Sequence, residues 1–241
     1  MHKQIVHIVF QVRQDHPTMG IRDIFYKIRP QGIGRDAFEE ICRKERLMIE
    51  RPMNWRRTTD SSGVIRFEDL TVGLVVDGIN KLWQSDITYY ELNNRFYYIT
   101  FIQDRYSRVI VGYSVSDSLT TIKTTYTALK VAIAYRNSID LTGLILHSDG
   151  GGQYYAKLFI ELTHNIGIKN SMCQYAWENG MAERLNGVIK NNYLKHRKIK
   201  NLNQLRKEVD RSVRLYNHGK PHIELKRQTP FEYEMKIVNL Q

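Results

Sequence analysis

The sequence predicts an α/β fold in which a five-stranded mixed sheet with flanking helices follows a small helical segment. In the central region three strand-like stretches come first, and further strands then alternate with helices, which is typical of an α/β domain. The run Leu144-Ile145-Leu146 is continuous in apolar character, as expected of a parallel strand that is buried on both faces. Apolar residues near the N-terminus instead recur at helical spacing.

Helical spacing of apolar side chains predicts a helix around residues 5–12, a second over 20–28 and a third over 35–46. The breakers Pro30 and Gly32 separate the second from the third. Two short helices around a glycine-containing turn resemble a helix-turn-helix. Because such pairs also occur in many proteins that never touch DNA, this feature alone is weak evidence for DNA binding.

The central elements follow one another in the order β-β-β-α-β-α-β-α. Asn93-Asn94 is expected to join the first two strands, because asparagine tolerates the positive φ of hairpin turns. The predicted strands cover residues 82–90, 95–103, 108–116, 144–147 and 168–172, and the predicted helices cover 119–135, 153–165 and a stretch that opens at 179. This order is that of a ribonuclease H-like domain, so we expect that fold.

Three features of the sequence predict the cellular compartment of the protein: its cysteine content, the length of its apolar runs and its first residues. Two cysteines, Cys42 and Cys173, are too few for a disulfide framework or a usual structural zinc site. The sequence has no run of about 18 apolar residues that would span a membrane. Its first residues lack the charged and apolar regions of a signal peptide. We therefore expect a reduced cytoplasmic protein with no membrane partner.

The net charge of +11 is unevenly distributed. Residues 184–227 contain thirteen Lys/Arg and three Asp/Glu, a net of +10, and residues 1–57 contain twelve and seven, a net of +5. Residues 58–183 contain ten and thirteen, a net of −3. Basic flanks attract phosphate backbones through counterion release. The alternative is a solvated basic surface without a partner, but the acidic centre favours a metal site.

Three carboxylates stand in three different structural settings. Asp86 lies within a predicted strand, Asp149 follows a short apolar run, and Glu183 lies near the opening of a helix. Two strand acids and one helical acid can converge, and Mg²⁺ prefers carboxylate oxygens. Two such ions about 3.5–4 Å apart can activate an attacking oxygen and stabilise a leaving one. The sequence therefore predicts cleavage or joining of polynucleotides.

The helix that carries Glu183 has a polar stripe. At about 100° per residue, Asn179, Glu183, Asn186 and Lys190 fall within roughly 60° of one another. The opposite side carries apolar residues: Met181, Leu185, Val188 and Ile189. This arrangement is expected of an active-site wall whose apolar side packs on the sheet. Alone, it fits an ordinary amphipathic helix equally well.

Three stretches resemble the catalytic signatures of one family of bacterial transposases. They are Trp83-x-x-Asp86-Ile87-Thr88, His147-Ser148-Asp149-Gly150-x-x-Gln153-Tyr154, and Asn179-x-x-x-Glu183-Arg184 with Lys190 beyond it. The sequence is similar to the second-frame (orfB) products of insertion sequences, within the retroviral-integrase-like DDE superfamily. The C-terminal residues of that group's pattern are also present: Tyr216-Asn217, Pro221-His222, Leu225 and Thr229-Pro230. Residues 17–50 resemble its N-terminal helix-turn-helix segment.

The resemblance implies a DNA transposase or integrase catalytic subunit that cleaves element ends and transfers strands through a 3′-hydroxyl. It implies that Asp86, Asp149 and Glu183 are the catalytic residues and the ligands of two Mg²⁺ ions, for which Mn²⁺ can substitute. In this scheme Asp86 bridges the two ions, and Asp149 and Glu183 each hold one. No protein nucleophile is needed.

Polar residues near the acids are the expected DNA contacts: Asn179, Asn186, Lys190, Arg184 and Gln153. The expected partners are double-stranded DNA of the element ends and the target, and further copies of the chain assembled on that DNA. An upstream-frame DNA-binding protein is a candidate partner. We expect the protein to be associated with the bacterial nucleoid.

The resemblance also divides the chain into four segments. They are a helical, helix-turn-helix-like DNA-binding segment at 1–57, a linker and lead-in at 58–80, an integrase-like catalytic core at 81–198, and a basic C-terminal helical extension at 199–241. One departure concerns Asp149 and Glu183, which are 34 positions apart where most members of the group space them slightly further. The shortening falls in the loop at 173–177.

Two other functions remain open from the sequence. A ribonuclease H-like nuclease would carry an acid on the first helix after the three-strand meander, but residues 119–135 contain no Asp or Glu. A non-catalytic DNA-binding regulator derived from a transposase is disfavoured because the three acids are intact. Asp104 is expected to be structural, bonding its own turn. His147 either orients Asp149 or is a satisfied core histidine.

Overall fold

Three helices form the N-terminal part of the chain. The computed structural model describes residues 2–49, 67–137, 139–173 and 179–239. Before residue 50 it contains α1 (His2–Asp15), α2 (Ile21–Ile28) and α3 (Arg35–Lys44). Of the predicted linker and lead-in at 58–80, residues 58–66 lie outside the described residues.

Five strands form a single mixed sheet. They are β1 (Leu82–Leu92), β2 (Arg95–Asp104), β3 (Ile110–Ser116), β4 (Ile145–Ser148) and β5 (Lys169–Met172). Their order is β3-β2-β1-β4-β5, with β1, β2 and β3 antiparallel and β4 and β5 parallel to β1. The predicted five-stranded mixed sheet is confirmed. β3 begins two residues later than predicted because Arg108 adopts a φ of 64°, which interrupts the extended backbone.

Five further helices flank the sheet or follow it. They are α4 (Thr127–Arg136), α5 (Lys157–Ile166), α6 (Gly180–Asn192), α7 (Leu202–Gly219) and α8 (Pro230–Val238). A π-helical turn at Ile122–Tyr126 leads into α4, so this helix begins later than the predicted residue 119. The prediction of a helix from residue 153 was wrong at its start. Two glycines precede a short 3₁₀ turn at Gly152–Tyr154, which begins with a third glycine, and glycine disfavours helix.

Each face of the sheet is covered by its own hydrophobic core. Helices α4 and α5 cover one face, and a side chain at Gly112 would collide with the Ala128 carbonyl, so glycine allows α4 to approach β3 closely. Helices α6 and α7 cover the other face, where Leu205, Val209 and Tyr216 of α7 are buried. The predicted boundary at residue 198 therefore does not separate two independently packed units.

The N-terminal helices have a separate core and contact the C-terminal part of the chain. Val9 and Phe38 are among its fully buried residues. His16 is buried and its Nδ1 lies 3.2 Å from the hydroxyl of Tyr193, which directly follows α6. The Lys27 ammonium donates a 2.8 Å hydrogen bond to the carbonyl of Gly219, the last residue of α7. The N-terminal segment is thus docked onto the C-terminal helices.

A buried ion cluster attaches α8 to the domain. The Arg136 guanidinium donates to both oxygens of Glu234, at 2.6 and 3.0 Å, and to Oδ2 of Asp104 at 3.3 Å. Oδ1 of Asp104 accepts the backbone N–H groups of Tyr106 and Ser107 at 2.9 and 3.0 Å. The prediction that Asp104 is a structural turn residue is confirmed.

In the described parts of the chain, every helix is either too short or too polar to cross a membrane.

Replacing Arg136 tests how much this cluster contributes to the free energy of unfolding. Arg136→Met should lower the free energy of unfolding by about 3–5 kcal/mol, because it leaves two buried carboxylates without their cation. Urea denaturation measures the change.

The matched control is Arg214→Met. Arg214 pairs with Asp210 across one helical turn, and the two side chains are 67% and 42% exposed. Its loss should cost no more than about 1 kcal/mol. Equal destabilisation by the two substitutions would contradict the role assigned to burial.

Candidate active site

The parallel pairing of β1 with β4 positions the first two acids. Gln84 lies opposite His147 in this ladder, and continuing the register by two residues brings Asp86 level with Asp149. Neighbouring strands lie about 4.8 Å apart. Asp149 directly follows β4, so its side chain lies beside the middle of β1.

Helix α6 adds the third acid because it lies along β1. The Asn179 amide donates to the Ser85 carbonyl at 3.0 Å, and the Asn186 amide donates to Oδ2 of Asp86 at 2.6 Å. Glu183 is in the first turn of α6 and is exposed. Because it lies one turn before Asn186, it shares the side of the helix that meets Asp86.

The carboxyl group of Asp86 has its pKa raised to about 8. Burial is the largest cause, followed by the negative charge of Asp149, and Glu183 raises the pKa further. The Ile87 backbone N–H, 2.8 Å from Oδ1, and the Lys190 ammonium act in the opposite direction. Asp149 and Glu183 therefore act electrostatically on Asp86, and this arrangement favours a positive charge near it.

Asp149 is held by its own turn. Its Oδ1 accepts the Gly151 backbone N–H at 3.1 Å. Burial raises the pKa of this carboxyl, while the Gly151 N–H opposes the increase. A carboxylate that is partly desolvated and fixed by a backbone donor is suited to binding a cation.

The donor set fits a divalent metal ion by its chemistry. Three carboxylates offer the hard oxygen ligands that Mg²⁺ prefers, and burial, together with the negative charges of Asp149 and Glu183, raises the pKa of Asp86. Across the described ranges, however, no three His, Cys, Asp or Glu side chains are grouped closely enough to hold an ion as they stand. Binding would require these side chains to draw together.

Asn179 and Asn186 are engaged within the protein. They are 1% and 5% exposed, and each donates to β1. The helical spacing placed them on one stripe with Glu183, but these two amides face β1 while Glu183 is exposed. Within the structure they tie α6 to β1 and hold Asp86. A direct DNA contact by either residue stays a prediction.

The other expected DNA contacts differ in how accessible they are. The Arg184 side chain is 74% exposed and lies 3.9 Å from Glu224. The Gln153 amide donates to the Leu119 carbonyl at 3.1 Å, which ties the glycine loop to the segment before α4. Lys190 is half-buried, and its ammonium lies 3.4 Å from the Tyr89 carbonyl. Residues 174–177 of the shortened loop at 173–177 lie outside the described residues.

The sequence reasoning missed a hydroxyl pair beneath the site. The Ser85 and Tyr154 hydroxyls are 2.8 Å apart and buried, and they link β1 to the loop that carries Asp149. Tyr154 belongs to the second signature, so its position was a usable signal. His147 is buried with Nδ1 3.0 Å from the Ser171 hydroxyl, which supports its interpretation as a core histidine.

Two family models described as "Integrase core domain" match the chain at residues 77–176 and 164–230. Together they include all three acids.

Three relatives come from bacterial insertion elements. The IS600 uncharacterized 31 kDa protein of Shigella sonnei is 26% identical over 226 residues, which is 91% of this chain and 82% of the relative. A protein of IS986/IS6110 from Mycobacterium tuberculosis is 33% identical over 121 residues, 48% of this chain and 43% of the relative. The transposase for IS629 of Shigella sonnei is 28% identical over 196 residues, which is 78% of this chain and 64% of the relative. The chain spans less than two thirds of the last two.

Solved structures show the same fold. The HTLV-2 integrase catalytic core domain, solved in complex with magnesium, matches with a TM-score of 0.51 and 21% identity, over 66% of this chain and 98% of that one. The intasome of simian T-cell lymphotropic virus, in complex with a PP2A regulatory subunit, matches with a TM-score of 0.54 and 18% identity. The match covers 93% of this chain and 73% of that one. The expected ribonuclease H-like fold is confirmed.

The raised pKa of Asp86 predicts a pH-dependent stability. The unfolded chain releases this proton near pH 4, and the folded chain releases it near pH 8. The folded state therefore binds more protons between these values, and its stability should fall as pH rises through them. Asp86→Asn removes the titration, so with a chelator present it should be more stable than the wild type above about pH 8. The difference should shrink toward pH 4.

Urea denaturation across this pH range measures the effect. Asp36→Asn is the control, because the Asp36 side chain is 85% exposed and its substitution should change stability little. A wild type whose stability exceeds that of Asp86→Asn at alkaline pH would contradict the electrostatic account.

Proposed function

We propose that this chain cuts and joins DNA with two bound metal ions. The chain belongs to the integrase core domain family, as an insertion-sequence transposase of the retroviral integrase-like superfamily. The family and its relatives support transposase or integrase function, and they favour neither a ribonuclease nor a non-catalytic regulator. The family implies a polynucleotidyl transferase that depends on a divalent metal. The proposal adds the residues and the reaction.

One observation carries it. The register of β1 and β4 brings Asp86 level with Asp149, and α6 brings Glu183 to the same carboxyl group. A cluster of like charges that raises the pKa of its central member is costly unless a cation compensates it. The order of acids, two on strands and one on a late helix, supports the integrase type of site.

The residues would share the work as follows. Asp86, Asp149 and Glu183 would together hold two Mg²⁺ ions, and Mn²⁺ would substitute for Mg²⁺. When bound, such ions supply charge stabilisation and lower the pKa of an attacking water or 3′-hydroxyl. Asn186 fixes the orientation of Asp86 through its 2.6 Å hydrogen bond. No side chain forms a covalent bond to DNA.

DNA affinity would come from basic side chains beyond the acids. Arg184 and Lys190 lie on the same helix as Glu183, and Arg184 is well exposed. Lys195, Lys198 and Lys200 continue an exposed basic surface after α6. Part of the positive charge of residues 184–227 is neutralised within the protein, because Arg211 and Arg227 form ion pairs with acids of the N-terminal segment. The docked N-terminal helices therefore lie against the C-terminal basic region.

The proposed substrates are double-stranded element ends and target DNA, bound by an assembly of several copies of the chain. An upstream-frame DNA-binding protein would add recognition of the ends. The nucleoid would then be the place of action.

Substituting the acids one at a time tests the reaction. Asp86→Asn, Asp149→Asn and Glu183→Gln should each reduce cleavage and strand transfer to background, because each keeps the shape of the side chain and removes a charged ligand. Oligonucleotides that carry the ends of the element serve as substrates with Mg²⁺, and circular dichroism confirms folding. Glu161→Gln is the control, since Glu161 is an exposed acid of α5 paired with Lys157. Activity above trace in any of the three would reject that residue as a ligand.

Lys190 provides a separate test of DNA contact. Lys190→Ala should lower DNA affinity and strand transfer several-fold, while the Mg²⁺ concentration that gives half-maximal activity should change little. Lys190→Arg should retain part of the function, because the positive charge survives although a planar fork replaces the point charge. Lys157→Ala removes an almost fully exposed lysine of α5 and is the control. Wild-type affinity and Mg²⁺ dependence in Lys190→Ala would reject the contact.

A further inference from the structure

Three aromatic side chains, two exposed and one half-buried, form a cluster on the hairpin of β1 and β2. Tyr89 is 50% exposed and Phe96 is 55% exposed. The Tyr89 ring lies edge-on to both neighbours, with centroid distances of 6.1 Å to Phe96 and 5.3 Å to Tyr98. Tyr98 is the direct cross-strand partner of Tyr89. We call these three residues the aromatic platform.

The platform borders the candidate active site. Tyr89 lies three residues beyond Asp86 on β1, about 10 Å along the strand, and its side chain leaves the opposite face of that strand. Its carbonyl oxygen is 3.4 Å from the Lys190 ammonium. The pKa of its hydroxyl is raised by burial first, then by Tyr98, and also by Asp149 and Asp86. The two carboxylates are therefore within electrostatic range of this ring.

The packing of the sheet does not account for the platform. The alternate residues Tyr90 and Tyr97 pack against the core under α6 and α7. The side chains of the platform point to the other face and belong to none of the three hydrophobic cores of the described chain. Exposed clustered aromatic rings next to a site for phosphodiester chemistry fit a partner with flat π-faces.

We propose that Tyr89, Phe96 and Tyr98 form a stacking site for unpaired DNA bases beside the scissile phosphate, so that the chain binds DNA ends whose terminal bases are open. Every base offers a face that stacks on an aromatic ring, and this contact does not depend on sequence. Lys190 and the exposed Arg95, the first residue of β2, supply positive charge for the adjoining backbone. This inference rests on the proposed function, because DNA chemistry at the acids is what brings bases to the platform.

The test compares two DNA probes of arbitrary sequence in buffer free of divalent ions. One is a blunt duplex, and the other is the same duplex with a short single-stranded thymidine tail. Fluorescence anisotropy should show that the wild-type chain prefers the tailed probe by about five- to 150-fold for one stacked base. Tyr89→Leu and Phe96→Leu should each remove most of this preference, whereas Tyr89→Phe should keep it because the ring remains.

Two controls isolate stacking from other effects. Tyr135→Leu replaces a tyrosine of α4 that is 42% exposed, close to the 50% exposure of Tyr89, and it should leave the preference unchanged. Abasic sugars in place of the tail thymidines should lower wild-type affinity as much as the leucine substitutions do. The leucine variants should show no further loss with that probe, since contacting groups are non-additive.

Equal binding of blunt and tailed probes by the wild type would overturn the proposal, and so would full affinity for the abasic tail. Both measurements use the unaltered chain, so a folding defect in a variant cannot obscure them. Leucine variants that change the oligomeric state but not the tail preference would assign the platform to contacts between copies and overturn the proposal. A chain that cuts DNA in an Asp86-dependent manner without a tail preference would keep the proposed function and lose only the platform.

Discussion

The parallel pairing of β1 with β4 is the constraint on which the site depends. It places Asp86 of β1 level with Asp149, which directly follows β4, and the two hydrophobic cores on either side of the sheet prevent these strands from moving apart. A shift of the pairing by one residue would turn the side chain of Asp86 to the opposite face, away from α6. Burial of β1 on both faces strongly disfavours such a shift. The fold thus forces two carboxylates together at an electrostatic cost.

Helix α6 is fastened to the same strand by amide side chains. Asn179 and Asn186 donate to consecutive residues of β1, Ser85 and Asp86, while apolar residues one turn apart bury the adjoining side of the helix. An apolar contact alone would permit sliding, because hydrophobic attraction is non-directional. Two hydrogen bonds to fixed positions set the helix along the strand. The height of Glu183 relative to Asp86 follows from this attachment.

Most of the sheet, and the approach of Asp149 and Glu183 to Asp86, could be predicted from the sequence, because strand patterns and spacing are local signals. The direction in which the polar stripe of α6 faces could not be predicted. Periodicity shows which residues share a side of a helix, but the contact of Asn186 with Asp86 spans 100 positions of chain. The docking of His16 on Tyr193 spans 177 positions and has no local signal either. The start of α5 was misplaced because the glycines of the acidic loop override the helical pattern that follows.

Two buried carboxylates in this chain show how the same group serves stability or function. Asp104 accepts hydrogen bonds from backbone N–H groups and from the Arg136 guanidinium, so its negative charge is compensated within the fold. Asp86 accepts one backbone N–H and one amide, and two further carboxylates lie within electrostatic range of it. Nothing in the fold requires this second arrangement, since an apolar or amide side chain would fill the position at lower cost. The charge left uncompensated at Asp86 is therefore the part of the structure that a cation and its phosphodiester substrate would complete.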